Sequence, residues 1–267
     1  MKKLSLLLLV FVASFTLNAQ TADEILDTYF ENIGGKEKLK ALKGIKITAE
    51  VNQGMVIPLE IYKMKGGNEM VSITIQGKTL KQGVFDGETL WSTNFMTQKA
   101  EKSTAEDTAN HKLSINDFPD PFLNYKENGY SVELMGKETI DGAETFKIKL
   151  TQTPMTIDGA KVDNIAYYFF DTEDFVPIAM QQEIMSGQGK GMVSEMKFSD
   201  YQEVDGVYFA FSMTPGMKDQ AGGPPITISK IELNPEVAAS QFKFPEEIAD
   251  SKVEDKTKDS SPSGNNK

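Results

Sequence analysis

The sequence predicts a mainly β, α+β fold: one large antiparallel sheet preceded by a single amphipathic helix. Short apolar runs with period-two alternation recur from Ile45 to Ile231, as half-buried strands do. Turn dipeptides separate them, among them Asp86-Gly87, Asp141-Gly142 and Asp205-Gly206, which is hairpin chemistry. Long helical periodicity appears once, between Thr21 and Leu42.

The chain opens with Lys2-Lys3, an apolar stretch from Leu4 to Leu17 and Leu17-Asn18-Ala19. This pattern predicts a signal peptide over residues 1–19, cut after Ala19. An uncleaved anchor would need about 20 apolar residues to span comfortably, and this run is shorter. A single domain is expected over residues 20–248, and no later segment reads as a transmembrane helix.

Thr21, with Glu24 three residues on, forms a capping-box pattern. Ile25, Leu26, Tyr29, Phe30 and Ile33 fall on one helical stripe, Gly34-Gly35 is expected to break it, and a short turn follows with Leu39 and Leu42. Such a stripe must lie against something apolar. Next come alternating runs at Ile45–Val51, Met55–Ile61, Val71–Ile75, Val84-Phe85 and Leu90-Trp91. Ala100 to Lys112 is polar and compatible with either a solvated helix or a mobile loop. Phe118 to Tyr125, interrupted by Pro119 and Pro121, reads equally as a connector or a lid. Further strands are expected at Val132–Leu134, Phe146–Leu150, Ala166–Phe170, Val176–Met180, Met192–Phe198, Val207–Phe211 and Ile226–Ile231. From Ala249 to Lys267 the composition is that of a disordered tail.

About ten antiparallel strands give a sheet that tends to curl or close. Its concave face must be filled or covered, and the early helix is the natural filler. Incomplete filling would leave an apolar cavity for a hydrophobic ligand. Twelve methionines follow Met1; flexible thioethers suit adaptable apolar surfaces, and ordinary core packing explains them equally.

Composition excludes much chemistry. There is no cysteine, hence no disulfide, thiolate site, cysteine nucleophile or lipidated signal cysteine. The net charge is −11, and every basic residue is lysine, so DNA and RNA are poor partners. The sole histidine, His111, is expected at the surface, and zinc needs more ligands than one histidine supplies. The carboxylate groups Asp117/Asp120 and Asp171/Glu173/Asp174 suit turns better than glycoside cleavage. No nucleophile elbow or phosphate cradle appears. No enzyme activity and no cofactor are expected.

The order of features resembles the LolA-like periplasmic lipoprotein-sorting proteins and their LppX and LolB relatives. The likeness runs from about Thr21 to Pro245. It rests on the helix with Gly34-Gly35, on Phe85-Asp86-Gly87-Glu88-Thr89-Leu90-Trp91 and on the insert Phe118–Tyr130. Tyr167–Pro177, Asp205-Gly206-Val207-Tyr208-Phe209 and Phe242–Pro245 complete it. The resemblance implies a half-open antiparallel barrel of roughly eleven strands, with lid segments over an apolar cavity. It further implies a monomeric periplasmic carrier of lipid or lipoprotein acyl chains, loaded by an inner-membrane extraction complex and emptied at an outer-membrane acceptor. A lipid sensor or a structural partner in an envelope complex is the alternative on the same fold. The expected cavity and lid residues are Met55, Ile57, Met64, Ile73, Ile75, Trp91, Phe95, Phe118, Phe122, Leu123, Met180 and Met196. The family's carriers tie their lid with a strand arginine; this chain has none, and Lys46 or Lys63 could substitute only partly.

Overall fold

The computed structural model describes residues 20–245; the expected signal peptide and tail lie outside them. Thr21 caps α1 (Ala22–Asn32) through the reciprocal bonds expected with Glu24. Gly34 and Gly35, both at positive φ, separate α1 from α2 (Lys36–Ala41).

Thirteen strands follow, two more than the roughly eleven expected. The first arm holds β1 (Gly44–Asn52), β2 (Val56–Met64), β3 (Glu69–Ile75), β4 (Lys78–Phe85), β5 (Leu90–Thr93) and β6 (Ala100–Lys102). A helix α3 (Ala105–His111) and a loop from Leu113 to Tyr130 lead to the second arm. It holds β7 (Ser131–Ile140), β8 (Ala143–Ile157), β9 (Ala160–Asp171), β10 (Pro177–Glu183), β11 (Val193–Val204), β12 (Val207–Met217) and β13 (Ile226–Leu233). All pair antiparallel with their sequence neighbours except β6 and β7, and β13 returns to pair with β1. The two free edges are β6 and β7, so the sheet is an open barrel.

The sheet curls around one main core. Leu59 of β2, Leu150 of β8, Phe170 of β9 and Ile228 of β13 belong to the same buried cluster as Ile25, Tyr29 and Phe30 of α1. Each fully buried large apolar side chain contributes about 1.5–3 kcal/mol, so the stripe of α1 is a main fastening of the fold. A second cluster on the outer, convex face joins Tyr62, Met70, Val84 and Trp91 to Phe242 of the C-terminal segment.

The helix ends are fixed to the turns at one rim. The Tyr208 amide donates to the Ile33 carbonyl at 3.0 Å, and Asn32 Nδ2 donates to the Asp174 carbonyl at 2.8 Å. A Cβ on Gly34 would stand 2.2 Å from the Gly206 carbonyl oxygen, with φ at +117°. Gly34→Ala is therefore expected to cost about 2–4 kcal/mol. Gly35→Ala, where only the Glu37 side chain comes within 3.7 Å, should cost about 1–3 kcal/mol from backbone strain alone. Urea midpoints at unchanged m-value measure both.

Candidate functional site

Strand register sorts the expected cavity residues between the two faces of the sheet. Ile57, Ile73 and Phe118 are half-buried against the main core, and Phe122 and Leu123 are buried in it. Ile75 follows Ile73 by two residues, and Met180 pairs with Tyr168 while Met196 pairs with Met180. These three therefore share the concave face, half-buried. The other four lie elsewhere. Trp91 belongs to the convex cluster, where its indole donates to the Phe242 carbonyl at 2.9 Å, and Met64 packs against that cluster while also bordering a cavity beside Lys63. Met55 and Phe95 are exposed at hairpin ends. Both faces of β2–β5 carry apolar residues, so alternation alone could not tell the faces apart.

Phe118 to Tyr130 forms the cover. Phe122 stacks edge-on against Tyr168 and Phe170, at 4.8 and 5.7 Å between ring centroids. The Tyr29 hydroxyl of α1 donates to Asp120 Oδ2 at 2.8 Å, and Asp120 Oδ1 accepts from the Phe122 amide at 2.8 Å. At the start of α1, Asp23 accepts from Tyr125 and Lys126, and these bonds hold its carboxyl below the ordinary range. Helix and cover are thus one unit laid over the sheet. Lys46 has no part in it. It lies on the convex face, bonded to Glu60 at 2.8 Å beneath the Tyr62 ring.

The polar segment forms β6 and α3, and α3 spans the open side. Asn110 exchanges two hydrogen bonds with the Thr156 backbone, and Glu106 accepts from the Asp158 and Gly159 amides. The clasp holds the end of the β8–β9 hairpin. The expectation of a surface histidine fails for a related reason. His111 is half-buried, its ring 4.6 Å from that of Phe85 and its Nε2 3.4 Å from Glu69 Oε1.

Two adjoining cavities share His111, Ser114 and Gln152. One, of about 300 Å³, lies between Lys63, Glu69, Asp117 and Phe118. The other, of about 470 Å³, is bounded by Leu90, Leu113, Met155, Ile157 and Met185. Their common floor is polar: Gln152 donates to Asp117 at 2.8 Å, and Gln182 donates to Asn164 at 3.0 Å. Sequence reading missed this row, because isolated Gln and Asn in a strand look like its solvent face. Among the described residues no group of three His, Cys, Asp or Glu side chains is placed to hold a metal ion.

Burial raises the Asp120 carboxyl from an ordinary value of 3.8 to about 6, although hydrogen bonds from Tyr29 and the Phe122 amide oppose the shift. A raised folded-state pKa means that protonation favours the folded form. This contribution is complete below about pH 4 and is lost as pH rises through about 6. Lowering the pH from 7.5 to 5 should stabilise the protein through this residue by about 1 kcal/mol. Asp120→Asn should remove that increment, read as the difference between urea midpoints at the two pH values.

No protein-family model matches the sequence, and no curated protein sequence matches it. Solved structures do match it. A LolA superfamily protein from Nitrosomonas europaea is 13% identical, with a TM-score of 0.48 over 84% of this chain and 98% of that one. A DUF1329 family protein from Desulfovibrio piger is 12% identical, with a TM-score of 0.49 over 82% and 97%. The Mycobacterium tuberculosis lipoprotein LppX is 14% identical, with a TM-score of 0.29 over 82% and 100%.

Proposed function

We propose that this chain is a periplasmic carrier that holds the acyl chains of a lipid or lipoprotein in the concavity of its sheet. The observation that carries the reading is the incomplete filling of the concave face. At one rim α1 and the cover bury it fully. Toward the other, Ile57, Ile73, Ile75, Met180, Met196 and Met213 remain half-buried on the same face.

A stable water-soluble fold gains by covering such residues, so their partial exposure on the concave face fits a surface kept for a partner of the same character. Each methylene transferred from water is worth about 0.8 kcal/mol, and one or two acyl chains supply ample affinity without charged recognition. The polar row Gln152, Asn164 and Gln182 beside the cavity can hydrogen-bond the ester or headgroup end of such a ligand. Lid attachment, in a chain without arginine, rests on the Tyr29–Asp120 hydrogen bond and on the exposed Asp23–Lys126 ion pair.

Mass spectrometry of organic extracts from the purified protein tests the reading and should return acyl lipid in stoichiometric amount. A fluorescent fatty acid should bind as well, and Ile75→Lys or Met196→Lys should weaken it at least tenfold, since each sets a charge on the apolar wall. Trp91→Phe, on the convex face, should leave the affinity unchanged. An empty extract together with no probe binding overturns the carrier reading in favour of a filled, structural barrel.

A further inference from the structure

Seven large hydrophobic side chains are exposed among the described residues: Met55, Val56, Phe95, Met96, Met135, Met192 and Tyr208. Their placement is uneven. In an antiparallel sheet the β1–β2, β3–β4, β5–β6, β8–β9, β10–β11 and β12–β13 connections all emerge at one rim. Met55 and Val56 stand at the first of these, Phe95 and Met96 at the third and Met192 at the fifth. Five of the seven therefore occupy the rim where the concave face is unfilled, and Met96, 91% exposed, is the most prominent.

The same connections carry Lys78, Lys99, Lys161, Lys190 and Lys218. None of the five forms a salt bridge among the described residues. The acids beside them are Asp158, Asp219, the strand-end Glu183, Glu101 of β6, which accepts from Asn94 and Thr97, and Glu106 of α3, which accepts from the β8–β9 turn. The turns of the opposite rim hold Asp86, Glu88, Asp141, Glu173, Asp174 and Asp205 against Lys65, next to the lysine-bearing α2. Around the open mouth, apolar tips thus stand together with five lysines that lie outside any salt bridge, in a chain of net charge −11.

We infer that this rim docks on the surface of an anionic phospholipid bilayer. The hairpin ends at Met55-Val56, Phe95-Met96 and Met192 enter the interface, and the lysines rest on the headgroups. The apolar side chains stand on three separate hairpins around a mouth rather than in one contiguous patch. A planar, deformable apolar phase can take up all three at once. Apolar tips with basic residues beside them are the composition of interfacial anchors, and each lysine near an anionic surface strengthens binding about fivefold. Docked this way, the mouth faces the membrane, and an acyl chain passes between bilayer and concavity without crossing water. The proposal rests on the carrier reading for its purpose but not for its evidence.

Flotation with vesicles tests it, using residues 20–267, which include every described element. The chain should float with vesicles of phosphatidylcholine and phosphatidylglycerol, and at least tenfold less with phosphatidylcholine alone. The triple variant Met55→Ser, Phe95→Ser, Met96→Ser should bind at least tenfold more weakly at every salt concentration. The triple variant Lys78→Gln, Lys99→Gln, Lys190→Gln should lose the salt-sensitive part. Phe95→Trp should shift to the blue and be quenched by brominated lipid, whereas the native Trp91, 3% exposed, should not respond. This fluorescence readout and the lysine variant decide the question even if the serine variant folds poorly. Failure of the unaltered chain to float with anionic vesicles, or equal flotation of all variants, overturns the docking inference and points to a protein partner at the rim. Lipid in the organic extract reads the carrier function separately, so a lipid-loaded protein that ignores vesicles would sink only the docking.

Discussion

The structure depends on how α1 covers the inside of a sheet that does not close. Thirteen strands in one open order leave a concave apolar face far larger than a hairpin could shield. Ile25, Leu26, Tyr29, Phe30 and Ile33 meet residues from both arms of that sheet in a single cluster. Without the helix, each arm would present an apolar face to water and the curl would have no reason to persist. The position of α1 is in turn set at both ends: Gly34 permits backbone contact at the Gly206 turn, and Asp23 holds the cover through Tyr125 and Lys126. Helix, cover and rim are therefore one mechanical unit.

Edges are the second constraint, since unpaired strands invite association with other chains. At one edge β6 is only three residues long. At the other, β7 is shifted in register between Leu134 and Gly136, at a glycine with φ of +111°, and such a bulge twists an edge away from further pairing. Between the edges, α3 ties the first arm to the β8–β9 hairpin through Asn110 and Glu106. These bonds are few and those of Glu106 are exposed, so this side is held more loosely than the sheet, and local opening is cheapest where contacts are fewest. The two cavities adjoin that side.

Much of the architecture was legible in the sequence. The capping box, the glycine break and most hairpins appear where the residue types require them, because each is a local signal. Three features were not. The far half of β8, Thr151–Ile157, escaped because its polar residues face a cavity floor and the α3 clasp rather than a core. β6 is too short to show a period. Trp91 read as a cavity residue because β2–β5 are covered on both faces, by the core on one and by Phe242 and Phe244 on the other. Nothing local in the strands announces a cover that arrives some 150 residues later. His111 was misread similarly, since its polar neighbours gave no hint of the Phe85 ring.

The uneven filling of the concavity follows from the same economy. At the α1 rim, Phe170, Ile148 and Leu150 are fully enclosed, and this packing supplies the stability of a domain without disulfides. Toward the opposite rim the wall changes to methionine and isoleucine with partial exposure, interleaved with Gln152, Asn164 and Gln182. Adding aromatic side chains there would raise stability but consume the volume. Methionine keeps the wall apolar while leaving its shape adjustable, and the amides remain satisfied by one another and by Asp117. The free energy that holds the barrel together is concentrated at one end, and the capacity to accept a ligand is left at the other. A change at the mouth can therefore alter what is bound while the core that maintains the fold stays intact.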